Sequence, residues 1–334
     1  MNQFLPSESA VLLFNLIVLS AVIATGYSVT AIRRQSLARA LSWLTVAASV
    51  SSCHWFCAVE LAGYRMIVLI VTLLCGMKTV VAVESRGAGQ VRPGVLCWLI
   101  FCIGWLGMRI EVFRDLGRCC RCDWLDYMKK GCVRLLAGIL FCCGAYFLSR
   151  LPAESLALLP RKILVTLMLF AGFSLVIHFG LINLAAGFWR RSGADCRSMF
   201  RAPLVSYSLR EFWGRRWNLG FSEMTSLGVY RPLRPHLGRQ GATFVSFLFS
   251  GALHELAITL PVMACFGFPL CYFALHGCGM LVETQLERRG FQFKDHCVFS
   301  RVWTGGWLIL PLPVLFPEPF LREVMWPMIE WYPA

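Results

Sequence analysis

The stretch T-F-V-S-F-L-F-S-G-A-L-H-E-L-A-I-T-L runs from Thr243 to Leu260 and contains two ionisable residues, His254 and Glu255. An apolar run of this length is enough for a helix that crosses a bilayer. With 1.5 Å of rise per residue, His254 lies roughly 15 Å from the start of the run, near the middle of the hydrocarbon. Ionisable side chains at that depth are costly and face a cavity or the interior of a helix bundle. The stretch therefore predicts a membrane-spanning helix that carries a functional histidine.

Apolar runs occur throughout the chain. Of its 334 residues, 57% are hydrophobic and 15% are charged, whereas an ordinary soluble domain has about 25% charged residues. The mean hydropathy is +0.64. Alternating strand patterns are absent, so we predict an all-α polytopic membrane helix bundle that forms one domain over residues 1–334. Its nine predicted transmembrane or re-entrant helices are 10–31, 40–60, 65–83, 93–113, 133–150, 163–188, 242–262, 264–283 and 302–316.

The net charge of +14 is concentrated in short segments between the apolar runs. Such placement is typical of cytoplasmic loops and favours anionic lipids or a phosphorylated substrate over nucleic acid. Residues 190–239 carry ten arginines and three acidic residues, which is half of the net charge. We therefore predict that a loop over 189–241 faces the cytoplasm. The segment 109–134 is also basic, like the loop that follows the first predicted helix. Three simple crossings between these two basic segments would place them on opposite sides of the membrane. One of the predicted helices between them must therefore be re-entrant or split into two half-spans.

Most of the 16 cysteines lie inside apolar runs, where free cysteine packs as a small hydrophobic residue. Four others could bind zinc as thiolates, although their spacing matches no paired C-x-x-C site. Free thiols next to the membrane are the favoured interpretation, and we expect no metal. These four residues are Cys119, Cys120, Cys122 and Cys132.

The segment from Pro203 to Phe221 reads P-L-V-S-Y-S-L-R-E-F-W-G-R-R-W-N-L-G-F. Arginine grips phosphate with two parallel hydrogen bonds, and aromatic rings suit the membrane interface. A surface of this kind fits a ligand with a phosphorylated head and an apolar tail, such as acyl-CoA. An interfacial helix whose arginines reach lipid headgroups is the alternative. The candidate substrate-binding residues are Arg210, Phe212, Trp213, Arg215, Arg216 and Trp217.

Depth in the membrane does not single out His254, because His54, His178 and His276 also lie in or near apolar runs. Neutral imidazole can take a proton from a hydroxyl group, whereas a helix-packing hydrogen bond is the structural alternative. His276 is followed by Gly277, Cys278 and Gly279. This segment either lines the same cavity as His254 or forms a close helix contact, and its small residues favour the contact.

Two strings set His254 apart from these other histidines: S-L-R-E-F-W-G-R-R-W-N, which ends at Asn218, and S-G-A-L-H-E, which contains His254. Together they resemble the wax synthase branch of the membrane-bound O-acyltransferase (MBOAT) superfamily. That superfamily pairs a polar residue, often asparagine, with a histidine in a downstream membrane helix, and here Asn218 and His254 are 36 residues apart. The resemblance covers about residues 200–256, within a motif-bearing region of 190–283. It implies an MBOAT-like helix bundle with His254 as the catalytic residue and Asn218 as its partner.

The chemistry of acyl transfer fits these two side chains. His254 would remove the proton of an alcohol as its oxygen attacks a thioester carbonyl, and the Asn218 amide would donate to the developing oxyanion. No serine or cysteine stands beside an evident base, so direct attack without an acyl-enzyme is favoured. We thus expect an acyl-CoA:long-chain-alcohol O-acyltransferase that forms wax esters.

The expected partners of this enzyme are acyl-CoA, a lipid alcohol and membrane lipids, with no cofactor, nucleic acid or obligate protein partner. The same chemistry on a sterol, terpenoid or diacylglycerol, or with acetyl-CoA, stays an alternative. A proton-coupled transporter is a third interpretation; it would require repeated halves, which are not evident in the sequence.

Overall fold

The computed structural model describes residues 3–86, 92–114, 116–117, 123–152 and 155–333. The described part of the chain is helical and contains no β-strand. The chain divides into two compact units, the first made of Met1–Ile110 and Arg201–Pro317 and the second of Glu111–Phe200 and Glu318–Ala334. The single domain expected over residues 1–334 stays a prediction.

The first unit contains most of the helices and all of the candidate site residues. Its α-helices are α1 (Ser9–Val29), α2 (Gln35–Phe56), α3 (Ala62–Glu84), α4 (Val95–Ile103), α8 (Leu209–Glu211), α9 (Leu219–Thr225), α10 (Arg231–His254), α11 (Leu260–Val262), α12 (Phe268–Arg288), α13 (Cys297–Ile309) and α14 (Leu312–Leu315). Turns of π-helix join several of them, over Phe212–Arg216, Ser226–Tyr230 and Glu255–Thr259.

Helix α3 lies at the centre of the first unit. In its most apolar window 72% of the residues are buried, against 22% for α1. Helices α1 and α2 pack on α3, and so do α11 and the π-helical turn Glu255–Thr259. A buried cluster on α2 and α3 also contacts Met224 of α9 and Leu253 of α10. The core therefore holds the two helices that bear the candidate catalytic residues against a common support.

The second unit contains α5 (Trp124–Ser149), α6 (Leu158–Phe173), a π-helical segment (Ser174–Leu181), α7 (Ile182–Arg191) and the short α15 (Glu318–Phe320). Glycines allow α5 and α6 to touch, since a Cβ atom on Gly138 would lie 2.8 Å from the carbonyl oxygen of Gly172. Close approach at small residues is the usual way in which membrane helices pack.

Six helical stretches among the described residues are long and apolar enough to cross a membrane. Large apolar side chains point outward from them; Leu13 is 60% exposed and Leu140 is 72% exposed. A soluble protein rarely exposes apolar surface on this scale, whereas lipid covers it without cost. The protein is therefore an integral membrane protein, as predicted. The six stretches are Ser9–Val29, Ala62–Glu84, Trp124–Ser149, Leu158–Arg191, Leu219–Val262 and Cys297–Leu315.

The fourth predicted helix is wrong in length. It was expected over 93–113, but α4 ends at Ile103. The ammonium group of Lys78 donates to the carbonyl oxygens of Phe101, Cys102 and Trp105, so it satisfies groups that the end of a helix leaves unpaired. Nine residues rise only about 14 Å, roughly half of the hydrocarbon thickness, and α4 alone is too short to cross.

The predicted loop over 189–241 is largely helical. Helix α7 continues to Arg191, and residues 219–241 belong to the long stretch that ends at Val262. Hydropathy locates the part of a helix that lies in lipid, so a polar extension of the same helix escapes it. Gly238, at φ 67°, interrupts α10 between its exposed basic start and its apolar half. A positive φ of this kind favours glycine.

Candidate active site

His254 is the last residue of α10 and is half-buried. Its Nδ1 atom lies 2.7 Å from the carbonyl oxygen of Ser250, one turn earlier on the same helix. A carbonyl oxygen can only accept, so Nδ1 carries the hydrogen of the neutral ring. The lone pair of the ring is then on Nε2, the form that a general base requires. The hydroxyl group of Ser250 donates to the carbonyl oxygen of Ser246 and does not bind the histidine.

Two phenylalanine rings flank the His254 imidazole. The ring of Phe273, on α12, lies 4.3 Å from it between centroids, and the ring of Phe221, on α9, lies 5.5 Å away. The imidazole is thus held by one backbone hydrogen bond and by rings from two other helices. This packing fixes the plane of the ring, which proton transfer in a defined direction needs.

Asn218 begins α9 in a left-handed conformation, with φ 42° and ψ 61°. Asparagine is one of the few residues that adopt this conformation readily. Its Oδ1 atom accepts a hydrogen bond of 3.2 Å from the backbone N–H of Phe221 and caps the helix. The amide nitrogen has no hydrogen-bond partner among the residues that the structure describes. The Asn218 amide N–H is therefore an unused donor, and the helix cap fixes its position.

Phe221 connects the two candidate catalytic residues. Its backbone N–H is the group that Asn218 caps, and its ring packs on His254. Asn218 thus contacts the backbone of Phe221, and His254 contacts its ring. The catalytic roles of both stay predictions.

The three arginines of the motif differ in their contacts. Arg216 is tied down, since it pairs with Glu211 at 2.6 Å and donates to two backbone carbonyl oxygens. Arg210 donates to Thr284 at 2.7 Å and lies 3.4 Å from Glu287. Arg215 is exposed and makes no polar contact with any described residue. Of the three, Arg215 has its guanidinium most available for a ligand.

Glu211 orders the start of the motif. Ser208 caps α8 by accepting from the backbone N–H of Glu211, and the Glu211 carboxylate accepts from the backbone N–H of Tyr207. Burial alone would raise the pKa of Glu211, but the hydrogen bonds from Tyr207 and Arg216 outweigh it and lower the pKa. The carboxylate therefore stays ionised at neutral pH and keeps Arg216 in place. The S-x-x-E spacing of Ser208 and Glu211 is that of a capping box, but here the carboxylate accepts from Tyr207 rather than from the backbone of Ser208.

The aromatic residues of the motif form one cluster. Phe212 is buried and lies 5.5 Å from the parallel ring of Trp217. Trp213 is perpendicular to Phe212 at 5.0 Å and reaches Phe273 at 5.7 Å. The rings expected to face a membrane interface therefore pack largely against one another and against α12. Their role in binding substrate stays a prediction.

Glu283 of α12 is a site residue that the sequence interpretation missed. Its fully buried carboxylate accepts from the backbone N–H groups of Leu209 and Arg210, at 2.6 and 3.0 Å, and from the indole of Trp303 at 3.1 Å. An anion at the first N–H groups of a helix is favourable. Glu283 therefore fastens the motif to α12. An acid that ends the apolar run M-L-V-E was the signal that could have found it.

Glu255, whose role the sequence left open, makes a similar contact. It accepts from the backbone N–H of Leu270 at 3.0 Å and from the hydroxyl of Thr259. It thereby joins the end of α10 to the first turn of α12.

Of the four cysteines considered for zinc, Cys132 is exposed, and Cys119, Cys120 and Cys122 lie outside the described residues.

The contacts of Glu283 predict a large difference between two neighbouring acids. Glu283→Ala leaves one buried and two half-buried donors without a partner and should destabilise the protein by about 3 kcal/mol. Glu287→Ala removes only an ion pair at the surface and should cost less than about 1 kcal/mol. Thermal unfolding of the purified protein in detergent measures both. Equal losses for the two variants would contradict the fastening role of Glu283.

Comparison with known proteins singles out the same part of the chain. Residues 196–269 match the model of the membrane bound O-acyl transferase family. The resemblance seen in the motifs is thus confirmed. The matched O-acyltransferase segment contains Asn218, His254 and the whole arginine and tryptophan motif, and it ends in the first turn of α12.

Three relatives of the chain extend this O-acyltransferase match. The chain is 36% identical over 141 residues to a long-chain-alcohol O-fatty-acyltransferase of Simmondsia chinensis. This alignment covers 36% of the chain and 39% of that relative. The chain is 31% and 30% identical to the probable long-chain-alcohol O-fatty-acyltransferases 6 and 9 of Arabidopsis thaliana, each over 40% of this chain and 42% of the relative. The chain therefore matches about two fifths of the length of these relatives.

Proposed function

We propose that this protein transfers a fatty acyl group from acyl-CoA to a long-chain alcohol and releases a wax ester. The observation that carries the proposal is the hydrogen bond from Nδ1 of His254 to the Ser250 carbonyl oxygen, which leaves a basic Nε2 at membrane depth. The names of the relatives support a fatty alcohol as acceptor. Because both substrates have long apolar chains, a base inside the lipid layer meets them where they dissolve.

The proposed reaction has one addition and one elimination. His254 Nε2 takes the hydroxyl proton while the alcohol oxygen forms a bond to the thioester carbonyl carbon. The amide nitrogen of Asn218 donates to the negatively charged oxygen of the tetrahedral intermediate. The carbon–sulfur bond then breaks, and the CoA sulfur leaves with the proton that His254 had taken. The products are the ester and CoA, and the histidine returns to its neutral form.

Acyl-CoA is proposed to approach from the cytoplasm along the basic segment 190–239. Its phosphates would first meet Arg215, which is exposed and makes no polar contact with any described residue. The tail would reach His254 through the lipid-facing side of the bundle, and the alcohol would enter from the bilayer.

A panel of acceptors tests the activity. Membranes that contain the protein would be incubated with labelled acyl-CoA and a long-chain alcohol, a sterol, a terpenoid alcohol or a diacylglycerol, and the labelled esters separated. We expect the wax ester to accumulate. A different ester would keep the mechanism and change the acceptor. The absence of any ester, with the protein verified in the membrane, would refute the proposal.

Substitutions of Arg215 and Arg216 are expected to affect different properties, substrate binding for Arg215 and stability for Arg216. Arg215→Ala should raise the KM for acyl-CoA about tenfold and leave the thermal stability unchanged, because it removes only a charge-assisted contact with the ligand. Arg216→Ala should lower the stability, because it frees Glu211 and two backbone carbonyl oxygens. Arg215→Lys, which keeps the charge but not the fork, should be intermediate. An unchanged KM in Arg215→Ala would assign this residue to lipid headgroups.

A further inference from the structure

The imidazole of His276, on α12, is fully buried. Its Nδ1 atom lies 2.9 Å from the carbonyl oxygen of Tyr272, so Nδ1 carries the hydrogen and Nε2 carries the lone pair. This Nε2 atom is buried and has no hydrogen-bond partner in the described part of the chain. Buried polar atoms are almost always paired, and an unpaired acceptor at this depth calls for an explanation.

A second unpaired atom lies next to it. The indole of Trp213 stands perpendicular to the His276 ring, with 5.5 Å between centroids, and its Nε1–H is also buried without a partner among the described residues. The backbone around the indole is held in place, because the hydroxyl of Ser222 donates to the Trp213 carbonyl oxygen at 2.6 Å. An indole N–H can only donate, and Nε2 of His276 can only accept. The two rings therefore present one donor and one acceptor that remain unused.

Phe273 connects this pair to the proposed base. Its ring lies 5.7 Å from Trp213, 6.4 Å from His276 and 4.3 Å from His254. The donor, the acceptor and the base thus border the same phenylalanine. The close helix contact favoured for the H-G-C-G segment exists, since a Cβ atom on Gly277 would lie 2.8 Å from the ring of Phe244. The two interpretations of that segment are therefore compatible.

We propose that Trp213 and His276 bind the hydroxyl group of the acyl acceptor beside His254. A hydroxyl donates one hydrogen bond and accepts another, which is the combination that these two atoms lack. Because the hydroxyl has a single hydrogen, that hydrogen points to Nε2 of His276 in the bound alcohol and turns to Nε2 of His254 when the oxygen attacks. A carbonyl or ether oxygen would satisfy only the indole, and a carboxylate would meet no cation in the ring cluster. The inference rests on the proposed acyltransferase function and adds to it a reason why an alcohol is selected.

Three variants separate this polar role from simple packing. His276→Phe keeps a ring of similar shape and removes the acceptor, Trp213→Phe removes the donor, and His276→Gln keeps an acceptor oxygen. His276→Phe and Trp213→Phe should each raise the KM for the alcohol about tenfold, with an unchanged KM for acyl-CoA. His276→Gln should be closer to the wild type. If His276→Phe were the better tolerated of the two His276 variants, or if both KM values rose together, His276 would be a packing residue and the inference would be wrong.

A binding measurement keeps the inference testable without turnover. Dodecan-1-ol should raise the thermal unfolding temperature of the purified wild-type protein more than dodecane does, and His276→Phe should abolish this difference. Wild-type protein that binds the alcohol through His276 but makes no ester would refute the proposed function alone. Wild-type protein that makes ester while His276→Phe keeps the preference for dodecan-1-ol would refute this inference alone; a bound water would then be the occupant of the pair.

Discussion

Replacing His254 by alanine should lower kcat for ester formation by about 10²–10⁴, which is the usual contribution of a positioned general base. The variant removes Nε2, the lone pair that the hydrogen bond to Ser250 leaves free. Alanine keeps the helix, because it is the best helix former. The rate of labelled ester formation from acyl-CoA and a long-chain alcohol, in membranes with equal amounts of protein, measures the effect.

His178→Ala is the matched control for His254→Ala. His178 is also a histidine inside an apolar helix, but its ring stacks on Phe200 at 4.6 Å and belongs to the second unit. We expect this variant to keep the wild-type kcat. If His254→Ala retained its activity, or if the two variants lost activity equally, the base would have to be sought elsewhere in the chain.

Removing the amide donor of Asn218 should lower kcat by about 10²–10³, the effect of losing one oxyanion donor. Alanine is a poor test, because it also has to adopt the left-handed conformation and loses the helix cap. Asn218→Asp keeps an oxygen for the N–H of Phe221 and removes the N–H donor. Asn218→Gly accepts the conformation and removes both the donor and the cap.

The two Asn218 variants distinguish catalysis from capping. If the amide nitrogen acts on the oxyanion, both variants lose kcat and neither changes the KM for acyl-CoA much. If Asn218 serves only as a cap, Asn218→Asp keeps its activity and Asn218→Gly loses stability. Steady-state kinetics with thermal unfolding of the same preparations decides between these outcomes.

Hydropathy located the helices well wherever apolar side chains face lipid. The separation of the predicted helices 242–262 and 264–283 is confirmed, since α11 ends at Val262 before α12 begins at Phe268. Helix ends were placed less well. Helix α5 begins at Trp124 rather than at 133, and α4 stops at Ile103, because polar flanks and the cap provided by Lys78 depend on neighbours that hydropathy does not register.

In the candidate site, too, the sequence predicted some features and missed those that depend on neighbouring residues. Motif spacing was enough to choose Asn218 and His254 from the polar residues of an apolar chain. It treated Arg210, Arg215 and Arg216 as equivalent, whereas the structure ties Arg216 to Glu211 and leaves Arg215 exposed. A motif records which residue types occur together, but the partner of each guanidinium is set by atoms that lie far away in the chain.

The amino-acid sequence alone determined that this protein lives in a membrane as a bundle of helices, because the cost of exposing apolar surface to water is a property of composition and run length. It also predicted His254 as the centre of the chemistry, because two sequence motifs set this residue apart from the other histidines in apolar runs. Only the tertiary structure decided which ring nitrogen of His254 is basic, which atom of Asn218 is free, that Glu283 fastens the start of the motif to α12, and that His276 and His254 contact the same phenylalanine. Those features depend on hydrogen bonds and ring contacts between helices, and such contacts exist only once the chain has folded.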